Sequence, residues 1–446
     1  MLAGDTLAGA VGRQPIDLLT LGRIMALPIY HLPVVQNWDC HVCGTCCQEY
    51  RVTVTEEEKQ RIEAQGWDRE KDLGGREPFL PHDKKRGLYI LNHRDDDSCV
   101  FLSDKGRCRI HERFGYATKP LACRLFPFVL VPVADEWRVG LRFACPSAAG
   151  NKGRALSVHN SSLAEFAARL AEREGLTRRP DGSLTPPPIV ERRPNVEWSD
   201  VLRLLDMLLA FLHNRRDPVE RRLRKCLTLA EAMRPLRLHR LDGKQLRDLL
   251  DILAGTAEQE TPANPLLLPR PSWVGRVLFR QAAALFTRKD HGPKRGLPGH
   301  GRIALFRAAC RFTRGRGRVP RMHQHIPPVT FEELETPRGP LPSEAEEVLE
   351  RYYILKVGSL QFCGAASFGL PFWEGFESLA LTLPIVLWLA RAFRDRPRHE
   401  AIIEALTIVD DHVGFNPVLA TRRQRLSFRI LTRRGELARL IAWYSR

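Results

Sequence analysis

Cys40, Cys43, Cys46 and Cys47 fall within eight residues, and Cys99, Cys108, Cys123 and Cys145 follow, so eight of the chain's eleven cysteines lie between positions 40 and 145. A cysteine used as a small hydrophobe follows the period of its helix or strand, and this spacing does not. A C-x2-C step instead wraps a tight loop that turns two thiolates onto one centre, as zinc and iron–sulfur sites require. These eight are the candidate metal ligands. His41, Arg107, Arg109, His111 and Arg124 stand nearby in sequence and are expected to favour bound thiolates, although both histidines also read as ordinary hydrogen-bonded imidazoles. Cys226, Cys310 and Cys363 sit among apolar neighbours and read as core residues.

The spacing narrows the chemistry. Radical S-adenosylmethionine enzymes use C-x3-C-x2-C, but Cys43-x3-Cys47 is followed by Tyr50 where a cysteine should stand. The two-cluster ferredoxin run C-x2-C-x2-C-x3-C-P fits through Cys46 and then fails at Tyr50-Arg51, which makes the remote Cys145-Pro146 a candidate for completing the site. Adjacent Cys46 and Cys47 are hard to aim at one tetrahedral ion. Zinc and an iron–sulfur cluster both stay open, as do one centre and two. Asp5, Arg23 and Pro28 interrupt what would be a secretory signal, so a reducing cytoplasmic setting is expected, where a disulfide framework is not.

Trp38-Asp-Cys40-His-Val-Cys43-Gly-Thr-Cys46-Cys47, then Cys99-Val-Phe-Leu, Gly106-Arg-Cys108-Arg-Ile-His, and Lys119-Pro-Leu-Ala-Cys123-Arg-Leu-Phe-Pro127 together resemble the CxxCxxCC cysteine-cluster family. That family is described as zinc- or iron-chelating and includes flagellin lysine N-methylases. The resemblance covers about 38–146 and implies metal binding by the eight cysteines. For the longer members it also implies S-adenosylmethionine-dependent methylation of a protein lysine. The sequence offers no Gly-rich strand-to-helix fingerprint for that cofactor, and Glu49, Glu112 and Tyr116 are candidate bases only by proximity. The alternative is a structural metal module whose basic helical part docks an acidic partner or nucleic acid.

The elements that must position these residues divide the chain into a lead-in with one short apolar helix (1–37), a cysteine-cluster domain (38–150), a helix and Pro-rich linker (151–196) and a mainly helical region (197–446). The fold class is α+β, a small cysteine-rich domain with β-hairpins followed by a larger α-helical region. Thr55-Glu-Glu-Glu58 is a capping box opening a helix to about Gln65, and Ser162-Leu-Ala-Glu165 reads as another. Strands are expected at 51–55 and 88–91, and hairpins at 99–108 and 128–143. Helices are expected at 201–212, 218–233, 243–253, 343–355, 377–393, 399–413 and 420–444. The apolar stretches 357–373 and 378–390 suit a buried helical hairpin better than a membrane span.

Net charge is 69 − 52 = +17, and fourteen Arg or Lys against the single acid Asp290 fall between Arg270 and Arg321. This run, with Arg314-Gly-Arg-Gly-Arg318 read as a flexible segment, suits phosphate, nucleic acid or an acidic protein, or is a solvated face.

Overall fold

The computed structural model describes residues 28–30, 36–191, 196–289 and 302–446. The expected lead-in helix and part of the basic run lie outside them.

Among the described residues six strands form two three-stranded sheets: β1 (Ile29–Tyr30), β2 (Thr53–Thr55), β3 (Phe79–Asp83), β4 (Leu88–Leu91), β5 (Phe128–Val133) and β6 (Glu136–Leu141). The orders are β1-β6-β5 and β2-β4-β3, with only the β1–β6 pair parallel. The β5–β6 hairpin closes through Ala134 at φ 50° and pairs Val133 with Glu136. The hairpin expected across 99–108 does not form as two strands. Only single bridges remain, His93 to Cys99 and Leu102 to Cys108, because Val100, Phe101 and Leu102 turn inward to fill the core under β2-β4-β3.

Helices occupy the rest, so the fold is α+β. Those over Trp198–His213, Val219–Met233, Gly243–Glu260, Ser343–Gly358 and Arg398–Asp410 follow the apolar periodicity, the third running seven residues past its expected end at 253. Two expected helices are each broken in two. Phe372–Ala380 and Thr382–Ala390 separate where Pro384 cannot donate to Ala380, and Thr382 Oγ1 donates to Leu379 O instead at 2.6 Å. Arg422–Arg433 and Glu436–Tyr444 separate at Gly435, whose φ of 65° ends the first helix. The capping box at Ser162 is absent. The helix begins earlier, at Asn160, and the Glu165 carboxylate is drawn to Arg124 at 3.0 Å.

Phe372–Phe393 is apolar enough to cross a bilayer, yet 94% of its most apolar window is buried inside the protein. Its Trp388 meets Phe279 and Phe331 edge-on and tilted. The main core runs without a break from the β5–β6 hairpin through these helices, while β2, β3 and β4 cover a second, smaller core of their own.

Candidate metal centre

The loop Cys40–Cys43 turns because Val42 takes φ 55°, a conformation that costs a β-branched residue about 1–3 kcal/mol. Gly44 at φ 72° then starts the short Thr45–Glu49 helix that carries Cys46 and Cys47, with their sulfurs 4.0 Å apart. Cys99 is tied to this helix by its own N–H, which donates to Cys47 O at 2.8 Å. Cys108 precedes the helix Arg109–Phe114, and Cys145 precedes Pro146–Ala149.

Cys123 sits on the short helix Leu121–Leu125, and that helix is set by the capping box. Glu58 accepts from Thr55 N at 3.0 Å with one carboxylate oxygen and from Leu121 N at 2.6 Å with the other. One side chain therefore starts one helix and fixes the start of another. Glu58→Ala is expected to cost about 1–2 kcal/mol, read as a lower urea midpoint with unchanged slope, whereas Glu57→Ala should change little.

Seven thiols, those of Cys40, Cys43, Cys46, Cys47, Cys108, Cys123 and Cys145, line one cavity of about 360 Å³. Cys99 lies behind it, buried in the smaller core. All eleven cysteines are free. Cys226 and Cys363 are buried, Cys363 in a turn rather than on a helix, while Cys310 is half-buried.

Burial pushes the Cys99 thiol up to about 12 and lifts Cys123 well above its ordinary value, and both feel the charges of Cys46 and Cys108. The hydrogen bond with Cys47, then burial, raises Cys46. Cys145 is raised chiefly by burial and feels Cys43. Thiolates in this pocket thus need a compensating positive charge.

Part of that charge is Lys119, which the sequence reading passed over. Burial works against its ammonium, but Cys123, Cys108, Cys46 and Cys47 outweigh that and raise its pKa. Its signal was only the Lys119-Pro120 dipeptide one helical turn before Cys123. Of the basic groups expected to serve here, His41, Arg107 and His111 do line the cavity. Arg109 and Arg124 do not: Arg109 donates to Asp72 O, and Arg124 pairs with Glu165. Glu112 and Tyr116 also line the cavity. Glu49 does not, and is held by Lys289 at 2.6 Å and His325 at 3.2 Å.

Residues 39–146 match the family model CxxCxxCC, a "putative zinc- or iron-chelating domain". The match covers this segment alone, about a quarter of the chain. No curated protein and no solved structure matches the chain. The donor set of the CxxCxxCC domain suits a soft metal, since thiols dominate the cavity wall and a buried ammonium accompanies them. Among the described residues, however, no three Cys, His, Asp or Glu side chains gather closely enough to hold one ion. The sulfurs surround a space instead of meeting at a point.

The helical region reaches into this centre. Asp410, fully buried, accepts from Phe143 N at 2.6 Å and Ala144 N at 3.3 Å, the two residues before Cys145. Lys356, also fully buried, pairs with the same carboxylate at 2.7 Å, and Tyr352 OH donates to it at 3.1 Å. Beside it Arg142 pairs with Asp411 at 2.7 Å and stacks on Phe415 at 3.8 Å. Cys145 is thus placed by residues more than 200 positions away.

Proposed function

We propose that the CxxCxxCC domain holds an iron–sulfur centre that pins its loops and the Cys145 turn into one unit. The observation that carries this reading is the ring of seven thiols, with the Lys119 ammonium beside them, around about 360 Å³. A cavity of this size has room for a polynuclear cluster, which takes its thiols from around a volume, whereas a lone tetrahedral zinc with Zn–S of about 2.3 Å needs four sulfurs and little space between them. Cys40, Cys43, Cys46, Cys47, Cys108, Cys123 and Cys145 are the residues that would hold it, with Cys99 behind them. Such a centre supplies one-electron redox capacity when bound. Lys119 offsets part of the thiolate charge from inside the wall, and Asp410 keeps the Cys145 turn in place.

Protein purified without oxygen is expected to be brown, with iron and acid-labile sulfide in comparable amounts per chain. Stoichiometric zinc without sulfide in a colourless protein overturns the reading. Cys108→Ser and Cys123→Ser should lose the metal, and Cys226→Ser should keep it. A protein-lysine N-methylase would draw its base from Glu112 or Tyr116, the two candidates at the cavity. An unchanged mass of a lysine-rich protein after incubation with S-adenosylmethionine counts against that activity.

A further inference from the structure

A second cavity, about 780 Å³, lies between the helix Arg302–Arg314 and the loop that follows it. Its volume falls within the roughly 300–1,000 Å³ typical of small-molecule sites. Ala304, Arg307, Ala308 and Arg311 line one wall at i, i+3, i+4 and i+7, so a single helix face is turned toward it. Arg318 and Arg321 line the other.

All four arginines are exposed, and none of them makes an ion pair among the described residues. Among the described residues lining the cavity there is also no Asp or Glu. Arg321 donates to Gln324 O at 3.2 Å within its own loop, while buried or half-buried basic side chains elsewhere, such as Arg142, Arg222 and Arg391, are spent on carboxylates or carbonyls. Four permanent charges facing one space repel each other, and an anion between them removes that repulsion.

Both walls are built rather than loose. Arg314-Gly-Arg-Gly-Arg318 is not the flexible segment its composition suggests. Gly315 and Gly317 take φ of 62° and 73°, and a Cβ at Gly315 would stand 2.5 Å from the Arg280 guanidinium. Gly317 N donates to the Glu332 carboxylate at 3.0 Å, and Val319 N to Val329 O at 2.9 Å, closing the loop at its base. At its tip Gln324 donates to Glu49 at 3.0 Å, at the end of the helix bearing Cys46 and Cys47. On the helix side, Arg280 and Gln281 donate to Phe312 O and Ala309 O at 2.8 and 2.9 Å. These bonds hold the backbone of both walls, so the loop itself gives up little freedom on binding.

We propose that this cavity binds a small organic polyphosphate, a nucleoside di- or triphosphate in class. Guanidinium forks match phosphate oxygens in pairs, and the four arginines receive the phosphates. Between the arginines the lining is apolar, with Ala304 and Ala308 on the helix and Ile326 and Pro327 on the loop, and takes the organic body. A nucleic acid strand fits less well, because the wall offers no Phe, Tyr or Trp on which successive bases could stack.

The test is calorimetric titration of the full chain, at about 0.15 M salt, with ATP, with tripolyphosphate and with a single-stranded oligonucleotide. ATP is expected to bind one per chain and more tightly than tripolyphosphate, which lacks the organic body. Arg307→Gln with Arg311→Gln should weaken ATP at least about ten-fold while leaving the melting temperature unchanged, since both side chains are exposed. Arg318→Gln should act in the same direction from the opposite wall. The proposal is overturned by no ATP binding at millimolar concentration, by equal affinity in the double variant, or by tripolyphosphate binding as tightly as ATP. An oligonucleotide that binds more tightly than ATP, with affinity rising with its length, overturns it in favour of a polymer.

Discussion

Lys356→Met is expected to destabilise the protein by about 3–5 kcal/mol, because it leaves the Asp410 carboxylate buried without its counter-ion. Both members of this pair are inaccessible to solvent. Burial pushes the Asp410 carboxyl up and the Lys356 ammonium down, so neither charge persists there without the other. Methionine fills a similar volume, so the loss reports charge rather than a cavity. Its pH dependence has a definite sign. A carboxyl whose folded pKa lies above its unfolded value binds more protons when folded, so the variant should lose less stability at pH 5 than at pH 8.

The second replacement separates the ion pair from a general failure to fold. Asp410→Asn added to Lys356→Met removes the stranded charge and keeps an oxygen for the Phe143 and Ala144 amides. It should recover about 1–3 kcal/mol of the loss. Urea denaturation at both pH values decides the matter, and a Lys356→Met midpoint equal to that of the unaltered protein removes the pair from any account of stability. The metal content of the single variant is informative too. Cys145 follows the two amides that Asp410 holds, so metal retention should fall with the loss of that anchor.

Local chemistry was legible in the sequence where neighbours in the chain decide it. The Thr55–Glu58 capping box, β4 and the β5–β6 hairpin all follow from nearby residues, and all form. The gathering of seven cysteines around one cavity was legible from their types and spacing, as was the family. What escaped depends on distant partners. Glu58 binds Leu121 N, 63 positions away, and Asp410 reaches Phe143 across 267, and no local pattern announces either. Lys119 resembles any surface lysine until the thiols close over it. The misread hairpin at 99–108 has the same origin. Its apolar run has strand composition, but the small core under β2-β4-β3 needs those side chains on one side of a turn.

His323→Asn is expected to flatten the acid limb of the stability profile. His323 is 6% exposed, and burial lowers its pKa from 6.5 to about 4 despite Glu49 and Asp411, which raise it, while Lys289 and His325 lower it further. The folded protein therefore keeps this imidazole neutral where the unfolded chain takes up a proton. Its contribution is fully present above about pH 6.5 and is lost as the pH falls toward 4, amounting to about 3 kcal/mol by the low end. Asparagine does not titrate, and its side-chain oxygen can replace Nδ1 as the acceptor for His325 N, now at 3.2 Å. Between pH 7 and pH 4 the variant should lose about 3 kcal/mol less than the unaltered protein in urea titrations. Parallel curves for the two proteins place the acid sensitivity elsewhere, and the carboxylates paired within the same cluster, Glu49 with Lys289 and Asp411 with Arg142, are then the groups whose protonation unfolds it.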